Sequence, residues 1–571
     1  MERATVKKQH MLSYEIIYSD EERINPLLLL KDIPLVAALE QVAYLLFYLQ
    51  NVDKDDKKFH SSNLLSWMMK MGGTDQLNTL RFVTTNPTFN HPDFILTDRR
   101  SCLRLLQIIL ASSKSQNKEL SKSDWGNLFK SLLTCNKVEL DKQKVIFDWD
   151  GVGTIEDFAD KILPIKIRNI EFDRRKDYKV QLMKIYYFFE FCTSDNYYKP
   201  YYEHFLNFHK LKSYDEYIWN VLHPFLLMMS NSEITCKIKL DEKNIIARNF
   251  LNQFIINDQK IIIDDDYQIL RRFPIFKNDT DTYTFLCVDF FIDKLYQGFL
   301  FDFISILNKF GIHDLNFPRL KNDLGNRFSE LYPFYITMEK SFKLYGDCRK
   351  TGAELKDLLK EGEPDYFIRN KNEIFLFEFK DATLPTSAKY SGDVSIIKKI
   401  LSERFVITTQ NRNTPQNKAV NQLRNSISDI LRSKYQRKSV DTFDSNSVII
   451  YPILVFTDVS MEAEGVRYFL KEILNDLLEN SSLPKNRIKE LVLIHLDTLI
   501  LFQDLFNQDQ INLSDCITSY LTYVSHGDPV NRVFSFGEYF KYYIAEKGYN
   551  IQTVPEEFNN ILKSFITKTS I

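Results

Sequence analysis

The segment EGEPDYFIRNKNEIFLFEFKDATLP, residues 361–385, places two carboxylates and an amine in a stretch that is otherwise strongly apolar. Asp365 follows a proline, and Glu378 and Lys380 end a run of alternating aromatic residues. Acidic groups inside an apolar strand are costly unless a cation compensates them, and their hard oxygen atoms suit Mg2+. A neighbouring amine can stabilise charge that develops on a phosphoryl group and help to activate a water. These residue types therefore indicate metal-assisted attack on phosphorus.

The same segment predicts a β-hairpin that would bring the two carboxylates together. Its strands are expected at 364–369 and 373–380, joined by a four-residue loop at 370–373. In that register Asp365 faces Glu378 across an antiparallel pair, with the two Cβ atoms about 5 Å apart. Two carboxylates this close repel each other unless a cation lies between them, so the pair looks like half of a magnesium site.

This hairpin resembles the core motif of the PD-(D/E)XK, or restriction-endonuclease-like, nuclease superfamily. Pro364 and Asp365 match the first half of the motif, and Glu378, Phe379 and Lys380 match the second half. The resemblance implies Mg2+-dependent hydrolysis of DNA phosphodiester bonds, with Mn2+ as a possible substitute and a 5′-phosphate product. It also implies that Asp365, Glu378 and the carbonyl of Phe379 are metal ligands and that Lys380 is catalytic.

Members of that superfamily commonly contribute further side chains from helices before and after the hairpin. The upstream stretch LGNRFSELYPFY resembles the first of these helices, with Glu330 as an auxiliary acidic residue of the catalytic group. Because Pro333 removes an internal hydrogen bond and kinks or ends a helix there, Glu339 is the alternative. A downstream amphipathic helix is predicted over 416–432, and the resemblance implies that its Gln422 reaches the active site or the phosphate backbone.

Positive charge is concentrated directly after the hairpin. Residues 382–440 hold eleven basic and three acidic side chains, a local net charge of +8, whereas the whole chain has a net charge of −2. Basic side chains of this kind bind phosphates without reading sequence, so DNA is the expected partner and RNA is not excluded. A solvated charged loop is the competing interpretation. The candidate nucleic-acid-binding residues are Lys398, Lys399, Arg404, Lys418 and Arg424.

A rival motif lies in the first third of the chain. KVIFDWDGVGTIED, residues 144–157, resembles the first motif of haloacid-dehalogenase-like phosphotransferases, with Asp148 as nucleophile and Asp150 as acid and base. However, Gly153 replaces the usual apolar residue, and 157–225 has helical periodicity where that family alternates strands with helices. A strand or loop with Asp-Gly turn chemistry explains the motif equally well, so the phosphotransferase is the less favoured alternative.

The elements that would position the hairpin predict an α/β (mixed) fold in two parts. Residues 1–310 are expected to form a mainly helical accessory or sensor region with a small strand element near 260–292, made of strands near 261–265 and 283–292. After that point strands alternate with helices, with further strands expected at 448–457 and 489–496. We therefore expect 311–571 to be a restriction-endonuclease-like α/β domain with a central mixed sheet and C-terminal helices.

Composition narrows the class of protein further. The chain has 571 residues, 44% of them hydrophobic and 26% charged, which is typical of a globular protein of several domains. The motifs GxxxxGK[ST], HExxH and GxSxG are absent from the sequence, which argues against a P-loop motor, a zinc protease of that type and an esterase. The apolar stretch 26–49 is interrupted by charged residues, so it predicts buried helices and no membrane partner.

Together these features predict a cytoplasmic nuclease. A large accessory region fused to such a domain resembles bacterial restriction or anti-phage defence proteins, which suggests a homo-oligomer or a defence-system partner protein. The alternative from another class is a non-catalytic nucleic-acid-binding or interaction protein whose nuclease fold is vestigial.

Overall fold

The structure is a computed structural model, and the statements below refer to the residues that it describes. These are 10–51, 57–113, 118–144, 153–174, 176–230, 235–241, 243–312, 315–360, 362–408, 416–481, 483–508 and 510–569.

The fold is mixed, as predicted, and helices dominate its first three hundred residues. In this part the α-helices span Tyr14–Ile17, Pro26–Leu29, Leu35–Asn51, Lys57–Lys70, Gly73–Thr85, Pro87–Asn90, Arg99–Ser112, Lys122–Lys144, Ile155–Asp173, Tyr178–Ser194, Lys199–His209, Tyr214–Ser230, Ile245–Leu251, Gln268–Arg272, Val288–Ile292 and Gln297–Lys309. No helix in the described ranges is long and apolar enough to cross a membrane.

The rest of the chain alternates helices with strands until residue 495 and then becomes helical again. Its α-helices span Phe317–Leu324, Tyr335–Phe342, Gly352–Leu359, Thr386–Lys389, Val394–Phe405, Ala419–Leu431, Lys434–Arg437, Val466–Glu479, Leu496–Asn507, Leu513–Ser525, Pro529–Val533, Phe536–Glu546 and Glu556–Thr569. The strands in the described ranges, numbered in chain order, are β1 (His10–Met11), β2 (Phe94–Ile95), β3 (Lys237–Lys239), β4 (Ile275–Lys277), β5 (Thr282–Phe285), β6 (Cys348–Thr351), β7 (Tyr366–Asn370), β8 (Glu373–Lys380), β9 (Ile407–Thr408), β10 (Gln416–Asn417), β11 (Ile449–Phe456) and β12 (Val492–His495).

A small antiparallel sheet in the order β3-β5-β4 occupies the region where a strand element was expected. The strand expected at 261–265 does not form, because Asp264 Oδ1 accepts the backbone N–H groups of Asp266 and Gln268 and folds the chain into a turn. The apolar run that begins at β5 continues as the helix Val288–Ile292, so the strand there is shorter than expected.

The main sheet has five strands in the order β12-β11-β8-β7-β6. Strands β6, β7 and β8 are antiparallel neighbours, whereas β8, β11 and β12 run parallel. The expected strands at 448–457 and 489–496 are confirmed as β11 and β12, and β6 is an additional strand. The sheet is therefore mixed, with the predicted hairpin near its centre.

The hairpin has the predicted register with a shorter loop. Arg369 pairs with Ile374 and Tyr366 with Phe377, which sets Asp365 opposite Glu378. Because β7 ends at Asn370 and β8 begins at Glu373, the loop has two residues, and the expectation of a four-residue loop was wrong. Asn370 and Glu373 form one additional cross-strand pair, which removes one residue from each side of the loop. The register of the other pairs is therefore unchanged.

Each face of the sheet belongs to a different hydrophobic core. Phe375, Phe377 and Phe379 of β8 pack into a core that is shared with the N-terminal and C-terminal helices. Ile374 and Leu376 face a second core, formed with the helices Gly352–Leu359, Val394–Phe405, Ala419–Leu431 and Val466–Glu479. Strand β8 is therefore apolar on both sides, as expected for a central strand that helices cover on both faces. The first core is continuous across residue 310.

Pro333 lies inside a helix that continues through it. Gly325–Phe334 forms a π-helix between two α-helices, and the N–H of Tyr335 donates to the carbonyl of Glu330 five residues earlier. The wider turn accommodates a residue that has no N–H to donate. The expected kink or end at Pro333 is thus a local change of helix type, and the helix continues to Phe342.

Candidate active site

Asp365, Glu378 and Lys380 meet at the carboxyl end of β8. Lys380 Nζ lies 2.7 Å from Glu378 Oε1 and 3.8 Å from Asp365 Oδ2. The backbone N–H of Phe379 donates to Asp365 Oδ2 at 2.6 Å, which holds this carboxylate against the strand. Glu378 is fully buried, whereas the side chains of Asp365 and Lys380 are each about one-fifth exposed. The ammonium group of Lys380 therefore interacts with two carboxylates at the rim of the sheet.

Glu330 joins this group and Glu339 does not. The hydroxyl of Tyr335 donates to Glu330 Oε1, and the charge of Glu330 interacts with those of Asp365 and Lys380. Glu339 instead accepts a hydrogen bond from Tyr366 at 3.1 Å, on the side of the sheet that faces the helical core. We call Glu330, Asp365, Glu378 and Lys380 the strand-end cluster.

Burial and mutual repulsion perturb the carboxylates of the strand-end cluster. Burial and the neighbouring Asp365 raise the pKa of Glu378 to about 8, against the opposite effect of Lys380. Burial also raises the pKa of Asp365, and burial together with Asp365 raises the pKa of Glu330. Burial alone would lower the pKa of Lys380, but Glu378 and Asp365 outweigh it and raise this pKa. The cluster is therefore short of positive charge.

The donor set suits a hard divalent cation. All the acidic groups offer carboxylate oxygens, and Glu378 Oε2 is buried without any hydrogen-bond partner. A buried oxygen without a hydrogen-bond partner lowers the stability of a folded protein unless a ligand binds to it. In the described part of the chain, however, no three acidic, histidine or cysteine side chains are already arranged to hold a metal ion. The carboxylate oxygens are ligands of the kind that Mg2+ prefers. The ammonium group of Lys380 now bonds Glu378, and a metal ion would compete with it for that carboxylate.

Phe379 and Gly352 shape the cluster through the backbone and through packing. The Phe379 ring stacks on Phe334 of the π-helix, with centroids 4.7 Å apart, and so fixes this helix on β8. The N–H of Gly352 donates to the carbonyl of Asp365 at 2.7 Å, and a Cβ at this position would lie 3.1 Å from Asp365 Cα. A side chain at this position would therefore crowd the backbone of Asp365, and a glycine avoids this close contact.

Gln422 lies on the predicted downstream helix but is not joined to the cluster. The helix Ala419–Leu431 packs its apolar face on the sheet through Leu423 and Ile427, as the periodicity predicts. Gln422 is half-buried there. Within the described residues, no hydrogen bond links its side chain to the strand-end cluster.

The basic candidates divide into paired and exposed side chains. Lys398 Nζ lies 2.6 Å from the carboxylate of Asp160 and is therefore engaged within the protein. Lys399 and Arg404 are exposed on the helix Val394–Phe405. Lys418 is half-buried, and so is Arg424, whose Nε is buried without a hydrogen-bond partner. Exposure thus favours Lys399 and Arg404 as phosphate contacts.

Asp381 is a site residue that the sequence prediction missed. Its buried carboxylate accepts hydrogen bonds from Lys321, Ser329 and Thr457, which lie in an α-helix, in the π-helix and directly after β11. The only signal in the sequence was an acid directly after Lys380, and its partners are too distant along the chain to be inferred.

His495, at the end of β12, has its hydrogen-bond partners outside the strand-end cluster. Asp148 and Asp150 of the rival motif lie outside the described residues. His495 is buried, with Nε2 3.0 Å from the carbonyl of Thr457 and Nδ1 accepting the N–H of Asp497. Burial lowers the pKa of His495 to about 4, as expected for a structural imidazole.

No model of a protein family matches this chain, and neither a curated protein nor a solved structure matches it. The function must therefore be inferred from the residues of the strand-end cluster and their surroundings.

Proposed function

We propose that this chain is a Mg2+-dependent nuclease that hydrolyses DNA phosphodiester bonds, with Mn2+ able to replace Mg2+. The observation that carries the proposal is the convergence of Asp365, Glu378, Lys380 and Glu330, with one buried carboxylate oxygen left unpartnered. Buried carboxylates with raised pKa values beside a single lysine are typical of a functional site. The likeness of the hairpin to the PD-(D/E)XK motif supplies the reaction.

The residues of the strand-end cluster have distinct roles in this proposal. Asp365 and Glu378 would hold the metal ion, with the carbonyl of Phe379 as a further ligand. A bound Mg2+ would supply Lewis-acid stabilisation of phosphoryl oxygens. Because its pKa is raised, Lys380 stays protonated at neutral pH and is suited to hold a phosphoryl oxygen. Glu330, whose pKa is raised by burial and by Asp365, is the group suited to accept the proton of an attacking water.

The position of the cluster in the sheet supports the same proposal. Ligands of open α/β sheets bind at the carboxyl ends of parallel strands, and β8 and β11 end together at this rim. We propose that 311–571 is the restriction-endonuclease-like domain and that 1–310 is an accessory region that senses a trigger. A cytoplasmic role in bacterial restriction or anti-phage defence, as a homo-oligomer or with a partner protein, follows by analogy only.

A specific observation favours the non-catalytic alternative. The Lys380 ammonium already bonds Glu378, so the cluster is partly compensated without a metal ion. A nucleic-acid-binding protein with a vestigial nuclease fold would keep such an ion pair and never exchange it for Mg2+. The two functions differ in whether phosphodiester bonds are cut.

A plasmid-nicking assay with Mg2+, Mn2+ or EDTA separates the two functions. We expect the wild type to nick DNA with either metal and not with EDTA, and Lys380→Ala and Asp365→Ala to be inactive. Lys343→Ala and Asp357→Ala, which change exposed residues outside the cluster, are matched controls and should remain active.

Each alternative result has a defined meaning. Equal nicking by all variants would reveal a contaminating nuclease and remove the support for catalysis. DNA binding without cleavage under every condition would favour the non-catalytic protein. A parallel assay on single-stranded RNA of the same length decides the substrate, because cleavage of RNA alone would overturn the choice of DNA.

A further inference from the structure

Asp381 is the most completely bonded carboxylate near the strand-end cluster. Its side chain is 6% exposed. Oδ1 accepts from Thr457 Oγ1 at 2.6 Å, and Oδ2 accepts from Ser329 Oγ at 2.7 Å. Lys321 Nζ lies 2.9 Å from Oδ1 and 3.1 Å from Oδ2. Both oxygens are therefore saturated by hydrogen bonds.

These bonds keep Asp381 ionised. Burial alone would raise its pKa, but Lys321, Thr457 and Ser329 outweigh burial and lower the pKa of this carboxyl. Asp381 is thus opposite in character to Glu378, three residues earlier, which is buried and lacks a partner on one oxygen. A carboxylate that is saturated by protein donors has no capacity left for a metal ion. Its role must be to hold other groups.

The partners of Asp381 lie next to the residues that need a fixed position. Ser329 precedes Glu330 in the π-helix, and Asp381 itself follows Lys380. Thr457 directly follows β11, the parallel neighbour of β8. Asp381 therefore connects the π-helix to the ends of β8 and β11. Its bond to Ser329 lies one residue from Glu330, and Asp381 itself lies one residue from Lys380.

We infer that Asp381 is the positioning residue of the proposed centre, because it fixes the separation between Glu330 and the Asp365, Glu378 and Lys380 group. This inference rests on the proposed nuclease function. Residues that hydrogen-bond metal ligands commonly change metal affinity by 10- to 100-fold when they are removed, and Asp381 would act on the ligands of β8 indirectly, through the strand end that it anchors. Asp381 does not touch the substrate or the metal ion, and it acts through Ser329 and the strand ends.

The test compares Asp381→Asn with a matched control, Asp441→Asn. Asp441 is 7% exposed and bonds the guanidinium of Arg369 toward the opposite end of β7. Each variant removes a buried carboxylate from a cation, although Arg369 keeps a second partner in Asp347, so the stability loss of each variant is measured separately. Mn2+ binding is measured by the electron paramagnetic resonance signal of free Mn2+, beside the Mg2+ dependence of nicking, the KM for DNA and the melting temperature.

We expect Asp381→Asn to weaken Mn2+ binding by about 10-fold or more and to raise the half-saturating Mg2+ concentration equally. The KM for DNA should change less than twofold, since no phosphate contact is removed. Asp441→Asn should bind Mn2+ as the wild type does. Ser329→Ala and Thr457→Val each remove one hydrogen bond and should shift Mn2+ binding in the same direction by less. They carry the test if Asp381→Asn does not fold.

Equal Mn2+ affinity in the wild type, Asp381→Asn and Ser329→Ala would overturn the inference, as would equal losses in Asp381→Asn and Asp441→Asn. The nuclease proposal would survive either result, provided that Lys380→Ala remains inactive. Conversely, if the wild type never cuts, the proposed function fails, and the Mn2+ titration still decides the role of Asp381.

Discussion

Two groups of buried charges in this protein are built on opposite principles. The first, which we call the helical cluster, lies among the N-terminal helices, where four cations surround two carboxylates. Its members are Arg100, Arg104, Lys142, Arg168, Glu139 and Asp265. The strand-end cluster has three carboxylates for one lysine. In the helical cluster, protein cations neutralise the carboxylates. In the strand-end cluster, one lysine cannot neutralise three carboxylates, so positive charge is lacking.

The protonation behaviour of the two clusters differs accordingly. Burial alone would raise the pKa of Asp265, but Lys142 and Arg104 outweigh it and lower this pKa to about 2. Arg100 and its neighbours likewise outweigh burial and lower the pKa of Glu139. Burial and Asp365 instead raise the pKa of Glu378 to about 8. A buried cluster whose charges are balanced by protein side chains is typical of a structural role. A buried cluster with unbalanced carboxylates is typical of a site that binds a ligand.

The largest expected effect is a crossover between the two clusters. Glu378→Gln should lower nicking by roughly 100-fold or more without lowering the free energy of unfolding. Glu139→Gln should cost about 3–5 kcal/mol of stability, because it strands several buried cations, and should leave nicking per folded molecule unchanged. Denaturant unfolding and plasmid nicking of both variants measure the crossover. Similar stability losses in both would erase the distinction.

Metal binding should stabilise the strand-end cluster alone. We expect Mg2+ to raise the melting temperature of the wild type and of Glu139→Gln, but not that of Glu378→Gln, since only the last variant lacks a ligand. A free concentration of 100 times the Kd is worth about 2.7 kcal/mol. Thermal unfolding with Mg2+, with Ca2+ and with EDTA measures this effect. Equal stabilisation of all three proteins would place the cation outside the strand-end cluster.

The two clusters should also respond to opposite ends of the pH scale when no metal is present. The folded state holds the Glu378 proton up to a pKa of about 8, against an ordinary value of 4.5. Folding therefore loses stability relative to Glu378→Gln as pH rises from 4.5 to 8, by about 1.4 kcal/mol per unit of pKa difference. For Asp265, with its lowered pKa, stability is present above 3.8 and is lost as pH falls toward 2. Unfolding of the wild type, Glu378→Gln and Asp265→Asn between pH 2 and 9 measures both trends, and parallel curves would contradict them.

The smallest effects concern surface lysines and arginines, which show the same contrast between satisfied and unsatisfied charge. Lys399→Ala and Arg404→Ala should each weaken DNA binding and lower its salt dependence by about one counterion. Lys398→Ala should leave that salt dependence unchanged, because Lys398 is paired with Asp160. Binding measured across a salt series separates the three variants. An equal change in salt dependence for Lys398→Ala and Lys399→Ala would show that DNA also contacts Lys398, in spite of its ion pair.

The hairpin shows how far local patterns reach. Alternation along β8 and the tight turn were enough to predict that Asp365 faces Glu378, because a two-residue period and a short loop constrain the register. The loop length was misjudged by one pair, and β6 was missed, since its residues CRKT carry no apolar alternation. A strand of this kind forms because β7 offers it a hydrogen-bonding edge, which no local pattern records.

Contacts between distant segments explain the other differences. Lys398 was interpreted as a phosphate contact, but it meets Asp160, which lies 238 residues away in the chain. Asp381 meets Lys321 and Thr457 across 60 and 76 residues. Each of these polar pairs depends on how helices dock on the sheet, and side-chain type alone cannot specify it.

The sequence by itself determined the mixed class, the hairpin register and the three residues of the chemical motif, because these depend on short-range periodicity and on the chemistry of carboxylates and amines. Only the tertiary structure decided that Glu330 and not Glu339 joins them, that Asp381 anchors the π-helix, and which basic side chains are satisfied. Those outcomes depend on burial and on long-range hydrogen bonds, whose energies arise only when separate elements exclude water together.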